Sequence, residues 1–306
     1  MTFHDSARSP FAENGFEVRR REVSFTSAGG FALAGTLFEG DGDGPLLLVS
    51  SATAVPRGLY AAFAAACVAA GARAALVYDY RGTGDSIRPA GWKTPIRMRD
   101  WALLDMPAAV AALDAVAPGH AMVGVGQSFG GQALGLSGTA SRFTRYGMVA
   151  TMSGYFGGLD DRGARWLMQG VGVPVSLFFR DTPRWLGIGE PIPGTVFREW
   201  ARWCAHPDYF FGDSSFPETA RYRDVSTPIL ALGLTDDIWG TRRAVASLMR
   251  HYESAPIELR WLSPEDAGGQ KIGHLGFFRS RFGETLWPQF IAWLLAGVPM
   301  TLGEKA

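Results

Sequence analysis

The stretch VGVGQSFGGQALG, residues 123–135, decides the fold. The run Ala121 to Gly126 is apolar on successive residues, as a strand buried on both faces is, and from about Phe129 to Gly138 the spacing predicts a helix. Between them stands Gly126-Gln127-Ser128-Phe129-Gly130. A serine at a strand-to-helix turn with glycine two residues to either side is a nucleophile elbow, a turn so tight that the flanking positions must lack side chains. It holds the serine oxygen at a helix N-terminus, where free amides favour a developing negative charge. With 39 glycines in 306 residues, roughly 0.3 chance matches to the pattern are expected, so its surroundings carry its meaning.

Those surroundings repeat one rhythm. Glu22 to Phe38 alternates polar and apolar residues around a Gly-Gly turn, which predicts a β-hairpin. Apolar strands are then expected at Leu46–Ser51, Ala74–Tyr80, Tyr146–Thr151, Pro228–Leu234 and Ile257–Leu262. Helices are expected in the Ala-rich stretch after Ser51, at Trp101–Ala115, at Thr241–Tyr252 and in TLWPQFIAWLLAG near the end. Continuous apolar strands alternating with helices give an α/β fold: a mostly parallel twisted sheet with helices on both faces.

One gap breaks the rhythm. From Ser153 to Thr227 the chain is dense in Trp, Phe, Tyr, Pro and Gly, too long for a structureless loop. The expectation is a core of residues 1–153 and 227–306 with an inserted lid, 154–226, over the carboxyl ends of the strands. Its aromatics, including Tyr155, Phe156, Trp166, Phe178, Phe179, Trp185, Trp200 and Trp203, suggest a small-molecule substrate with an apolar moiety. Many of them must also pack the insertion onto the sheet.

The remaining chemistry follows by order and elimination. An elbow serine on such a sheet expects an acid after a later strand and a histidine after the last one. His4 and His120 precede Ser128, His206 lies in the insertion and His251 ends a helix, leaving His274 in QKIGHLGFF as general base. The acid belongs after PILALGL, where either Asp236 or Asp237 could orient the imidazole. Asp236 is preferred, because Ile238 and Trp239 could then pack behind it while Asp237 faces water. The other aspartate would cap the helix that follows. For the oxyanion hole, backbone amides are expected from Phe129 and from the small residues Ser51–Ala54, with Thr53 chosen over Ala52.

Net charge is zero and the pI near 7, so nothing favours nucleic acid. No apolar run escapes Pro, Gly or Arg for long enough to span a bilayer, and the polar N-terminus lacks a secretory core, which suggests a cytoplasmic location. Cys67 and Cys204 form neither a disulfide framework nor a zinc spacing, and both are expected to be packing residues.

The segments SSATAVPRGLYAAFA (50–64), YDYRGTGDS (78–86), GQSFGG (126–131), GLTDDIWG (233–240) and IGHLGFF (272–278) resemble the α/β-hydrolase superfamily. The likeness runs from about Glu22 to Gly297 and looks closest to bacterial hydrolases grouped with serine aminopeptidase-like and monoglyceride-lipase-like enzymes. It implies a Ser-Asp-His triad, no metal or cofactor, and ester or amide hydrolysis, carried here by Ser128, Asp236 and His274. The usual His-Gly before the oxyanion loop is Ser-Ala in this chain, and an HGGG motif is absent. YDYRGTGDS is expected to be a structural turn in which Arg81 and Asp85 bond loop backbone.

The expected activity is hydrolysis of carboxylic esters through an acyl-enzyme. An acyltransferase or thioesterase using the same acyl-enzyme is the rival, and a non-catalytic binding protein on this fold is a third reading.

Overall fold

The computed structural model describes residues 17–306. His4 lies outside the described residues. Strands β1 (Arg19–Ser27) and β2 (Phe31–Glu39) form the expected antiparallel hairpin, with Ala28–Gly30 at its turn. Then come β3 (Leu46–Ser50), α1 (Ala61–Ala69), β4 (Ala74–Tyr78), and a helical run made of α2 (Met98–Asp100), a π-turn (Trp101–Asp105) and α3 (Met106–Asp114). The centre is β5 (Met122–Gln127), α4 (Phe129–Ser137) and β6 (Phe143–Val149). The inserted segment contributes α5 (Val173–Phe178) and α6 (Gly194–Ala205) among short turns. The chain closes with β7 (Ile229–Leu234), α7 (Arg242–Met249), β8 (Ile257–Leu262), α8 (Trp287–Ala296) and the two-residue β9 (Glu304–Lys305).

The strands form one sheet in the order β1-β2-β4-β3-β5-β6-β7-β8-β9. From β4 to β8 every pairing is parallel, and only the hairpin side and β9 run against it. Strands β3 to β7 are buried along their whole length apart from the start of β6, which is why they appear in the sequence as unbroken apolar runs. Two apolar cores lie on opposite faces. On one, Phe63 of α1 meets Trp287 and Phe290 of α8 over Val123 and Val125, the tryptophan edge-on; on the other, Leu113, Leu134 and Val245 cover Met122, Tyr146 and Ile229.

Arg99 of α2 ties the inserted segment to this frame. Its Nε donates to Glu199 of α6 at 2.8 Å, and its other nitrogens reach Asp213 at 2.9 Å and the Ser215 carbonyl at 2.6 Å. The guanidinium also sits 4.5 Å over the Phe216 ring, so one buried cation organises the base of the segment.

The YDYRGTGDS turn is structural, with partners other than those expected. Arg81 pairs with the buried Asp105 at 2.8 Å and with Ser27 at 2.7 Å, and its side chain bonds backbone only through Ala28 at 3.5 Å. Asp85 joins Arg57 at 2.8 Å, beside the Arg57–Asp79 ion pair that clamps the end of β4. Side-chain carboxylates win these guanidinium groups because charged acceptors bind them more strongly than carbonyls do. Cys67 and Cys204 are both buried.

Candidate active site

Ser128 has φ 51° and ψ −114°, a strained conformation for a residue with a side chain, and is held there by its N–H on the Val149 carbonyl at 2.9 Å. The glycines flanking it are needed for space. A Cβ on Gly126 would run into the Gly130 backbone, and one on Gly130 into the Ser50 carbonyl oxygen. The strain places the serine between the end of β5 and the first turn of α4.

His274 lies in the loop after β8, with Nε2 3.2 Å from Ser128 Oγ. Its Nδ1 is 2.7 Å from Oδ2 of Asp237, not of Asp236. This corrects the expectation. The Asp237 N–H bonds the Leu234 carbonyl at 3.1 Å, a tight turn that rotates residue 237 inward, while Ile238, expected behind the acid, stays 54% exposed. Asp236 instead supports the loop. Its two oxygens accept the N–H groups of Ile272 and Gly273 at 2.8 and 2.9 Å, fixing the backbone just before His274.

The Asp237 side chain is fully buried, and burial alone would raise its pKa. The adjoining His274 ring and the N–H groups of Gly240 and Trp239 outweigh that and hold it below the ordinary carboxylate value. A carboxylate that stays ionised can fix the tautomer of the ring and stabilise its imidazolium.

A buried polar chain joins the two loops that flank the serine. The Ala52 N–H donates to Tyr60 Oη at 2.8 Å, that hydroxyl donates to Gln127 Oε1 at 2.6 Å, and Gln127 Nε2 donates to the His274 carbonyl at 2.8 Å. Tyr60 and Gln127 are both 0% exposed. Since Tyr60 takes the Ala52 amide, that amide is not available to a substrate oxygen. The Thr53 and Phe129 N–H groups have no acceptor among the described residues.

The inserted segment touches this machinery. Ala54 adopts a left-handed conformation with φ 59°, and its carbonyl accepts the Glu190 N–H at 2.9 Å. Gly189, at φ 113°, lies so close that a Cβ there would press on that carbonyl at 2.6 Å.

Over Ser128 lies a cavity of about 260 Å³, with Thr53 and His274 at its base and Leu167, Met168, Ile188 and Trp200 among its walls. Trp239 also lines it and donates its Nε1–H to Asp161 at 3.0 Å. Of the aromatics singled out in the insertion, Trp200 alone lines this cavity. Trp203 is buried in packing against Phe216, and Trp166, Phe178, Phe179 and Trp185 face outward. Among the remaining histidines, His120 lies 3.5 Å from Asp43, His206 accepts the Asp208 N–H, and His251 stacks on Phe211. No group of three or more His, Cys, Asp or Glu side chains among the described residues could hold a metal ion.

Gln127 and Tyr60 are the site residues that sequence reasoning missed, while Asp237 is the alternative it weighs against Asp236. Gln127 left a faint trace as a fully buried amide closing an otherwise apolar strand, a group that must find partners.

Residues 46–284 match the model of a family described as the alpha/beta hydrolase family. Among solved structures, the alpha/beta hydrolase GrgF from Penicillium sp. sh18 is 19% identical, with a TM-score of 0.58 over 91% of this chain and 99% of its own. A putative lipase from Acinetobacter baumannii is 13% identical, with a TM-score of 0.56 over 90% and 91%. The esterase Pf2001 of Pyrococcus furiosus is 15% identical, with a TM-score of 0.54 over 89% and 92%. At these identities the likeness is one of fold. No curated protein matches the sequence.

Proposed function

The chain belongs to the alpha/beta hydrolase family, and on that premise we propose that it is a serine hydrolase of carboxylic esters, with Ser128 as nucleophile, His274 as general base and Asp237 as the orienting acid. The observation that carries this is the continuous relay of 3.2 Å from Ser128 Oγ to His274 Nε2 and 2.7 Å from Nδ1 to Asp237.

In this reaction His274 Nε2 takes the Ser128 hydroxyl proton as Oγ attacks the ester carbonyl carbon. The carbonyl electron pair moves onto oxygen, and the Thr53 and Phe129 N–H groups stabilise the charge. Collapse breaks the bond to the leaving alkoxide, which takes the proton from His274 and departs as alcohol. Water then attacks the acyl-enzyme with the same histidine as base, releasing acid and free Ser128. The segment 154–226 acts as a lid, since its Leu167, Met168, Ile188 and Trp200 close the cavity over the serine. A volume of about 260 Å³ lies at or below the small end of ligand pockets, which favours a short apolar acyl or alcohol group.

The test is Ser128→Ala assayed on p-nitrophenyl esters of increasing acyl length. The substitution should lower kcat/KM by about 10⁴-fold or more and abolish labelling by a fluorophosphonate. Full activity in Ser128→Ala, or labelling of another residue, would overturn the proposal. Transfer of the acyl group to an alcohol or thiol differs only in the acceptor, and product analysis with competing acceptors distinguishes it.

A further inference from the structure

The helical run from Trp166 to Phe178 forms the wall between the cavity and the outside. Its inner side presents Leu167 and Met168 to the cavity. Its outer side is unusual, because after Arg165, which opens the helix, every exposed residue as far as Phe178, namely Trp166, Gly170, Pro174, Leu177 and Phe178, lacks a charged side chain, and all but the Trp166 indole lack a polar one. Trp166 is 70%, Leu177 66% and Phe178 85% exposed. A helix face turned to water normally carries charge, and contiguous exposed apolar surface marks a place where something binds.

The neighbourhood says what binds. Leu177, Phe178 and Phe179 wall an open cleft of about 640 Å³ that is also lined by Arg88, Lys93, Arg180 and Arg198 and by no Asp or Glu. In a chain with 29 basic and 29 acidic residues, this is a local excess of positive charge. Arg88 lies 3.5 Å from Asp181 and Arg198 donates to the Ser176 carbonyl, while Lys93 and Arg180 have no side-chain partner among the described residues. Ile87, beside Arg88, is 73% exposed, but the neighbouring cleft it lines with Arg88, Arg180 and Arg184 also carries Asp85, Asp181 and Glu190, so the excess of positive charge is confined to the cleft beside Leu177–Phe179. No helix among the described residues is long and apolar enough to cross a membrane, so a helical surface of this kind meets a bilayer by lying against it.

We infer that the outer face of Trp166–Phe178, with Lys93 and Arg180 beside it, docks onto an anionic lipid surface. Bulky apolar side chains enter the acyl boundary, with the indole of Trp166 at headgroup level, and the cations meet headgroup phosphates. Docking would set the acyl phase one helix away from Ser128. That last consequence rests on the ester reading, whereas the docking itself does not.

Sedimentation of the full chain with vesicles tests it, using phosphatidylcholine alone and phosphatidylcholine mixed with phosphatidylglycerol. The chain should bind the anionic vesicles more tightly, and less so as salt rises. Leu177→Ser/Phe178→Ser should weaken binding more than about tenfold, and Lys93→Gln/Arg180→Gln about fivefold per charge removed. All four substitutions lie outside the catalytic cavity, so hydrolysis of a short soluble ester should stay at the wild-type rate, which also reports folding. Wild type that fails to sediment with anionic vesicles, or Leu177→Ser/Phe178→Ser that sediments equally well, overturns the inference. So does a dimer in solution that the same pair of substitutions dissolves, since a second copy would then be the occupant. Vesicle binding without ester hydrolysis would overturn the ester reading alone.

Discussion

Tyr60→Phe removes one oxygen from the interior and breaks two hydrogen bonds at once. The Ala52 N–H, 2.8 Å from that oxygen, and Gln127 Oε1, at 2.6 Å, would both lose their partner in a fully buried site. Burial also raises the Tyr60 pKa, so the hydroxyl stays protonated and donates to Gln127 throughout the working pH range. Each of the two stranded polar groups costs about 1–3 kcal/mol, so the variant should lose about 2–6 kcal/mol in urea unfolding followed by Trp fluorescence. The catalytic effect has a separate origin. Tyr60 anchors the peptide immediately before Thr53, and losing a well-aligned oxyanion donor outright costs about 10²–10³ in kcat. A loosened donor should cost less, about tenfold in kcat, with KM within about twofold, because the ground-state carbonyl depends little on that amide. Gln127→Met should act similarly, and the double variant should fall well short of the sum of the two, since both sever the same bond. Tyr60→Phe with wild-type kcat despite reduced stability would refute the argument that this chain of hydrogen bonds aligns the oxyanion loop.

The two aspartates make a sharper comparison. Asp237→Asn should lower kcat by about 10⁴ on short esters, because His274 loses the carboxylate that fixes its tautomer, whereas Asp236→Asn keeps one acceptor for the Ile272 and Gly273 amides and should cost far less. Equal losses would show that loop placement, not the ring contact, dominates. Arg99→Met leaves the buried Glu199 carboxylate with only Arg202 at 4.0 Å, while Asp213 keeps Arg202 at 2.6 Å, and should destabilise the chain by about 3 kcal/mol in chemical denaturation. Asp105 gives a pH signature: burial outweighs the opposing effect of Arg81 and pushes it up to about 6, from 3.8. The folded state therefore holds its proton more tightly than the unfolded chain, and stability should fall as pH rises from about 4 to about 6, by up to about 3 kcal/mol. Denaturation midpoints for wild type and Asp105→Asn across that range check it, and the slope should shrink in the variant.

The fold was legible wherever burial on both faces wrote itself into the text. Strands β3, β5 and β7 read as apolar runs because helices cover both sides of the sheet there. Strand β9 left no mark, being two residues whose pairing with β8 depends on where the chain end comes to lie. The order of serine, acid and histidine could be read from which strand each follows. The choice between Asp236 and Asp237 could not, because adjacent residues share every long-range signal and differ only in the rotation imposed by the Leu234–Asp237 turn. Ile238 misled for the same reason: apolar character suggested burial, yet that turn leaves its side chain in solvent. Gln127 and Tyr60 are 67 positions apart, and nothing local announces that one needs the other.

The bond from the Glu190 amide to the Ala54 carbonyl has a consequence for anyone reshaping this protein. Exchanging residues 154–226 for those of a relative, the obvious route to a new specificity, would cut a strut on the loop that carries the Thr53 amide, one residue beyond it. A graft that accepts new substrates but turns them over slowly would point to that missing strut. Carrying the native Gly187–Glu190 turn across with the foreign segment is then the first repair to try.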